Sequence, residues 1–200
     1  MHLRAPAILL ASRSHGETAV IARLLTAQSG VVAAYVAGGR GRQLRPVVIP
    51  GNLVEADIRA RSDSQLPFAR LELVQSRGPW LSEPLPAAAI GWITALTAAA
   101  LAERNPYPKI YDALGGLLDA ICAAPSARGW VGGLVSYETL LLREMGYGAG
   151  VRPPAGGLEE ALEALDRLEG PIAEYLVAGA FGDVMAARVL LRQRLGRMAE

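Results

Sequence analysis

From Leu53 to Arg61 apolar and polar residues alternate without a break, and no other pattern in the chain constrains its fold as tightly. Val54, Ala56, Ile58 and Ala60 fall on one side and Glu55, Asp57, Arg59 and Arg61 on the other, as in a strand with one buried face. Ala69, Leu71 and Leu73 repeat the pattern opposite Arg70 and Glu72. Upstream, Ala7-Ile8-Leu9-Leu10-Ala11 is an apolar run closed by polar residues and Gly16. The run from Ala19 to Thr26 fits a helix or a strand by pattern alone. Gln28-Ser29-Gly30 then turns the chain into the β-rich stretch Val31 to Ala37, which makes the pair a hairpin. About five short strands with turns between them predict a small closed barrel, since closure removes exposed edges.

Past the proline-bearing joint from Trp80 to Pro86 the period changes to that of helices. Ala87 to Glu103 is alanine-rich and ends at Asn105-Pro106. Pro108 suits the first turn of a second helix, whose stripe Ile110, Leu114, Leu117, Leu118 and Ile121 faces a core. Leu134, Tyr137, Leu141, Leu142 and Met145 mark a third, closed by Gly146. Gly148 to Gly157 reads as a loop, Leu158 to Leu168 as an acidic amphipathic helix, and Ile172 to Ala178 as a further helical piece. Asp183 is placed to cap a last helix running to about Arg197. The expected class is therefore α+β, with a barrel in residues 1–79 and an all-helical domain in residues 80–200.

A chain of 200 residues with 52% hydrophobic content can bury a core of this kind. Its single cysteine, Cys122, excludes an internal disulfide framework and a thiolate-based zinc site within one chain, which fits the cytoplasm. The apolar run before Arg13 is too short for a signal peptide's core. Pro84 to Ala102 carries no charge, but its prolines and its alanine content favour a buried helix over a membrane span. The net charge of +1 hides an asymmetry: residues 1–79 hold ten arginines against five acids, and residues 80–200 hold ten basic side chains against fourteen acids. A basic first half suggests a polyanionic partner there.

That charge is concentrated in Gly38-Gly39-Arg40-Gly41-Arg42-Gln43-Leu44-Arg45, three arginines on a glycine-rich loop between apolar runs. Glycine allows positive φ and close backbone approach, and arginine offers a planar fork of donors that matches phosphate oxygens. The plainer reading is a solvated turn. The loop is neither Gly-x-Gly-x-x-Gly nor a P-loop, because the lysine and Ser/Thr are missing, so nucleotide hydrolysis is disfavoured. Catalytic groups are scarce: His2 and His15 are the only histidines, and no serine sits in a nucleophile elbow. Glu159, Glu160, Glu163, Asp166 and Glu169 recur at helical spacing without a histidine, the mark of a solvated face. With Arg4, Arg13, Arg59 and Arg61, the loop arginines permit a groove that tracks a sugar-phosphate backbone. Only Tyr35 and Phe68 offer aromatic stacking in this half, which favours phosphate contact over base recognition. Arg188, Arg192, Arg194 and Arg197 on the last helix read first as cations near a helix C-terminus and second as an addition to a DNA surface.

The order Ala7-Ile8-Leu9-Leu10, Gly16-Glu17-Thr18-Ala19-Val20-Ile21, Leu24-Leu25-Thr26, Gly30 and Val36-Ala37-Gly38-Gly39-Arg40 resembles the N-terminal domain of the bacterial recombination mediator family RecO. Leu44-Arg45-Pro46, Pro50-Gly51-Asn52-Leu53-Val54-Glu55, Asn105-Pro106-Tyr107-Pro108, Tyr111-Asp112-Ala113-Leu114 and the stretch from Tyr137-Glu138 to Gly146-Tyr147-Gly148 continue the similarity. The resemblance implies an oligonucleotide/oligosaccharide-binding (OB) barrel followed by a helical domain. The protein is expected to be cytoplasmic and nucleoid-associated, not an enzyme, and without a cofactor. The resemblance further implies binding of single- and double-stranded DNA, strand annealing, and assistance to RecA loading together with RecR and the acidic C-terminal tail of single-strand-binding protein. DNA contact is carried by it onto Arg40, Arg42 and Arg45 and, less directly, Arg13. Many members hold zinc through cysteines just beyond the position of Gly148, whereas Val151-Arg152-Pro153-Pro154-Ala155-Gly156-Gly157 has none, so no zinc is expected. The competing expectation is a scaffold whose barrel binds a protein and whose arginines only solvate it, with a cytosolic hydrolase third.

Overall fold

The computed structural model of the chain describes residues 2–60, 62, 65–148, 150, 156–179 and 183–198. Five strands form first: β1 (His2–His15), β2 (Ala19–Thr26), β3 (Gly30–Val36), β4 (Leu53–Arg59) and β5 (Phe68–Gln75). They join in the order β1-β2-β3-β5-β4, with β4 returning to β1, which gives an OB-like barrel. All pairings are antiparallel except β3 with β5, whose parallel contact at Tyr35 and Phe68 closes the ring. Tyr35 reinforces that closure by donating its backbone N–H to the Pro67 carbonyl at 2.8 Å.

One strand serves both halves of the ring. β1 pairs with β4 through His2–Ile8 and with β2 through Ile8–His15, and an irregularity between Leu9 and Ala11 bends it from one partner to the other. The alternation read in the sequence now has a cause, because the inward residues Leu9, Leu24, Val32, Val54, Ile58 and Leu71 fill the barrel core. Each such side chain taken out of water contributes about 1.5–3 kcal/mol of transfer free energy. Two details depart from the period. β4 stops at Arg59, before Arg61. Leu73, expected on the buried face, is 42% exposed, because the β4–β5 register shifts between Leu53 and Val54 and the core ends at Leu71.

The helical part comprises α1 (Pro84–Ala100), α2 (Pro108–Ala123), α3 (Val131–Glu144), α4 (Leu158–Pro171) and α5 (Val184–Gly196). α1 buries Ile90, Trp92, Ile93 and Leu96, as its uncharged sequence requires. Thr94 and Thr97 return their hydroxyls to the carbonyls of Ile90 and Ile93, so their burial leaves no donor unpaired. No helix among the described residues is long and apolar enough to cross a membrane. The α2 stripe Ile110, Leu114, Leu117, Leu118 and Ile121 is buried throughout. α4 turns its acids outward and Leu158, Leu162, Leu165 and Leu168 inward. Pro171 ends it, and a π-helical turn over Ile172–Leu176 follows. Asp183 caps α5 by accepting from the Ala186 N–H at 2.9 Å.

Two compact units result. One holds residues up to Ser82 together with Leu101–Tyr111, and the other holds Glu83–Ala100 and the chain from Asp112 onward. The connector Leu101–Tyr111, grouped by sequence with the helices, thus clusters with the barrel. Glu103 accepts from Arg23 at 2.7 Å, and the Arg104 N–H donates to the Val31 carbonyl at 2.9 Å, which ties the connector to β2 and β3.

Candidate nucleic-acid interface

The arginine loop lies between β3 and β4 and is built from hydrogen-bonded turns. Gly41 donates to the Gly38 carbonyl at 2.8 Å, Arg45 to Gly41 at 2.9 Å, and Val48 to Leu44 at 3.0 Å. Gly38 takes φ +69°, the left-handed value that lets the chain leave β3 sharply. Asn52 anchors the far end. Wholly buried, it donates through its amide to the carbonyls of Pro46 and Val47 at 2.9 and 3.0 Å and accepts from the Arg77 N–H at 2.7 Å. Its own carbonyl accepts from Leu9 on β1. A second tie runs from the Ser12 hydroxyl to the Val48 carbonyl at 3.0 Å. These bonds hold the three arginines on a fixed frame, which lowers the ordering entropy that ligand binding would otherwise cost.

Arg40, Arg42 and Arg45 line a single groove of ≈ 1030 Å³ together with Ser12 and Ser14 of β1. None of the residues lining it is acidic. Arg42 and Arg45 are exposed and form no ion pair among the described residues, so their guanidinium donors are free for an anion. Arg40 has a structural role as well. Its guanidinium donates to the carbonyls of Gly16 and Glu17 at 3.2 and 3.0 Å, and its backbone N–H donates to Thr18, locking the loop to the β1–β2 turn.

The other arginines read from the sequence separate. Arg13 lies between Ser12 and Ser14, so strand alternation sends it to the opposite face from the groove, where it is exposed. Arg59 stands opposite His2 in the β1–β4 register and forks onto Asp57 at 3.0 and 2.7 Å. That guanidinium holds the Asp57 carboxyl below the usual carboxylate range, with His2 adding to the pull against some desolvation. Arg59 therefore brings its own counter-ion. Arg61 lies outside the described residues, as do residues 151–155 of the loop after Gly148. The last helix does not extend a cationic surface as a unit: Arg188 is buried, and Arg192 is paired with Asp166 at 2.7 Å.

Sequence reasoning gave Tyr35 and Phe68 little weight, yet barrel closure sets their rings 5.2 Å apart on the outer surface. His15 approaches Tyr35 at 5.8 Å from the other side. Arg70, two residues beyond Phe68 on the same face and opposite Asp57 in the β4–β5 register, carries no signal in the sequence beyond that of a polar strand position; it is exposed and forms no ion pair among the described residues.

Residues 1–77 match the family model described as Recombination protein O N terminal, and residues 82–152 match Recombination protein O C terminal. The chain belongs to the RecO family. It is 43% identical to the DNA repair protein RecO of Rhodospirillum centenum over 143 residues, covering 71% of this chain and 56% of that protein. It is 39% identical to the DNA repair protein RecO of Phenylobacterium zucineum over 150 residues, covering 74% and 60%, and 33% identical to that of Dinoroseobacter shibae over 182 residues, covering 90% and 74%. The chain thus spans less than two thirds of the length of the first two RecO proteins. The whole arginine loop falls inside the N-terminal RecO match. Cys122 is the only cysteine in the sequence, and both histidines precede the helical part. Among the described residues no group of three His, Cys, Asp or Glu side chains is placed to hold a metal ion.

Proposed function

We propose that this chain is a DNA repair and recombination mediator that binds single- and double-stranded DNA through its barrel and anneals complementary strands. The observation that carries the reading is the acid-free groove lined by Arg40, Arg42 and Arg45 in a chain of the RecO family. Guanidinium groups on a phosphate backbone release condensed counterions, and this gives affinity without sequence readout. Neutralising two backbones at once lowers the repulsion between strands, which is what annealing demands. The role needs no bond-breaking chemistry, and His15 sits exposed beside Tyr35.

The same reading gives the helical domain the partners of a mediator. RecR and the acidic C-terminal tail of single-strand-binding protein would dock there, and RecA would be served indirectly by clearing its DNA. Such work belongs in the cytoplasm, on the nucleoid.

The deciding experiment is a titration of a fluorescent single-stranded oligonucleotide at two salt concentrations, with the parent chain and with Arg42→Ala/Arg45→Ala. These two residues are preferred because Arg40 also secures the β1–β2 turn. The parent should bind more weakly at high salt, and each lost contact should flatten the slope of log K against log salt by about 0.7–1. An unchanged slope sinks the assignment of this groove. Binding that is absent at both salts favours instead a scaffold whose barrel takes a protein ligand.

A further inference from the structure

The outer face of the barrel carries a row of residues that the strand register sets side by side. Arg13 pairs with Ile21, Ile21 with Tyr35, Tyr35 with Phe68, and Phe68 with Arg59. Cross-strand partners lie on one face about 4.5–5.5 Å apart, so the row is a continuous band across four interstrand steps. Its centre is aromatic: His15, Tyr35 and Phe68 meet edge to face, with ring centroids 5.8 and 5.2 Å apart. Phe68 is 64% exposed, an unusual place for a phenylalanine on a strand. Because all three rings stand on paired strands, their positions are set by the barrel and not by a loop.

Charge decides what such a band can hold. Arg13 flanks the aromatic centre on β1 and Arg70 flanks it on β5, two residues beyond Phe68 and on the same face. Both are exposed and form no ion pair among the described residues. Of the acids near the band, Asp57, opposite Arg70 in the β4–β5 register, is engaged by Arg59 and His2, Glu55 is engaged by Arg4, and Glu72 lies two residues beyond Arg70 on the same face. An aromatic plate flanked by exposed arginines suits a ligand with flat rings on an anionic backbone.

We infer that this face is a stacking platform for unpaired nucleobases, with Phe68 and Tyr35 as the plates and Arg13 and Arg70 holding the flanking phosphates. The inference rests on the DNA-binding reading above and gives it a strand preference. A base inside a duplex is stacked on its neighbours and cannot reach the ring, so the platform contributes to single strands alone. Stacking on an aromatic side chain is tolerant of sequence, since every base has a π-face. Arginine contacts to phosphate, in the groove and at Arg13 and Arg70, supply the salt-dependent part of binding, and ring stacking supplies a part that salt leaves alone.

The test compares Phe68→Ala with the parent on a single-stranded oligonucleotide carrying 2-aminopurine and on a duplex of the same length. Phe68→Ala should weaken single-strand binding on the order of tenfold, leave duplex binding unchanged and leave the salt slope unchanged. It should also lose the quenching of 2-aminopurine that a stacked ring produces. Phe68→Trp should keep both affinity and quenching. Since Phe68 is mostly in solvent, thermal unfolding should show Phe68→Ala folded like the parent. Equal weakening of single strand and duplex, or no weakening of either, overturns the platform; the second result would fit a face that serves a protein. The two sites fail independently, because loss of the groove appears in the salt slope of Arg42→Ala/Arg45→Ala and loss of the platform appears in Phe68→Ala at constant slope.

Discussion

Arg188 on α5 donates from Nη2 to Oε2 of Glu138 on α3 at 2.9 Å, and both side chains are shut away from solvent. The other carboxylate oxygen accepts from the Trp92 indole on α1 at 2.7 Å, and the guanidinium also donates to the Leu165 carbonyl on α4 at 2.6 Å. One ion pair thereby ties four of the five helices together. Burial pushes the Glu138 carboxyl above its usual range, against the pull of Arg188 and the Trp92 N–H. A pair in this setting is costly to form and costlier to break, because removing one partner strands the other charge.

Glu138→Gln should therefore destabilise the helical part by about 3–5 kcal/mol, and Arg188→Met by a similar amount. The double variant Glu138→Gln/Arg188→Met should recover most of that loss, since the neutral amide still accepts from Trp92 and no buried charge remains. Urea unfolding followed by circular dichroism reads all three; additive losses in the double variant would show that packing, and not the charge pairing, dominates there.

This cluster also marks where the sequence stops being legible. Period two revealed β4 and β5 because each has one buried face, and that inference needs only neighbours along the chain, whereas the run that became β2 fits a helix or a strand by pattern alone. Arg188 and Arg192 looked alike, four residues apart on one helix, yet Arg192 reaches Asp166 at the surface and Arg188 reaches a carboxylate 50 residues away in sequence. Which fate each meets depends on how α3, α4 and α5 pack. The candidate interface divides the same way. Three arginines in one loop are visible as a cluster in the chain, whereas Tyr35 and Phe68 become neighbours only when β3 meets β5. The anchoring of Arg40 by two backbone carbonyls was hidden for a related reason, because those acceptors carry no side-chain signature.

Gly30 should be the least replaceable residue of the barrel's hairpins. It begins β3 at φ +62°, and a Cβ there would lie 1.8 Å from the carbonyl oxygen of Asn105. The obstacle is backbone, so no rotamer change relieves it, and the connector Leu101–Tyr111 would have to lift away. Gly30→Ala should cost about 2–4 kcal/mol, combining the strain of positive φ with displaced packing. The Arg104 N–H, which donates to Val31, should then exchange with solvent much faster than in the parent. Parent-like exchange at Arg104 would mean that the connector is not seated as described.

Asp166 and Arg192 offer a pH-dependent contribution of known sign. Arg192 forks onto the carboxylate at 2.7 and 2.8 Å, and this hydrogen bonding holds the Asp166 carboxyl below its usual value. A carboxyl whose pKa is depressed by folding stabilises the native state above the unfolded value of about 3.9. The contribution disappears as pH falls through the lower folded value, where native and unfolded forms bind the proton alike. Both side chains are partly solvated, 52% and 31% exposed, so the pair should be worth less than about 1 kcal/mol. Asp166→Asn should accordingly lower the urea midpoint slightly and by a constant amount between about pH 5 and 8. The gap to the parent should begin to close below about pH 4 and shrink in high salt. A gap that neither narrows as the pH falls below about 4 nor shrinks in high salt would assign the effect of the substitution to packing of α4 on α5 and not to the charge.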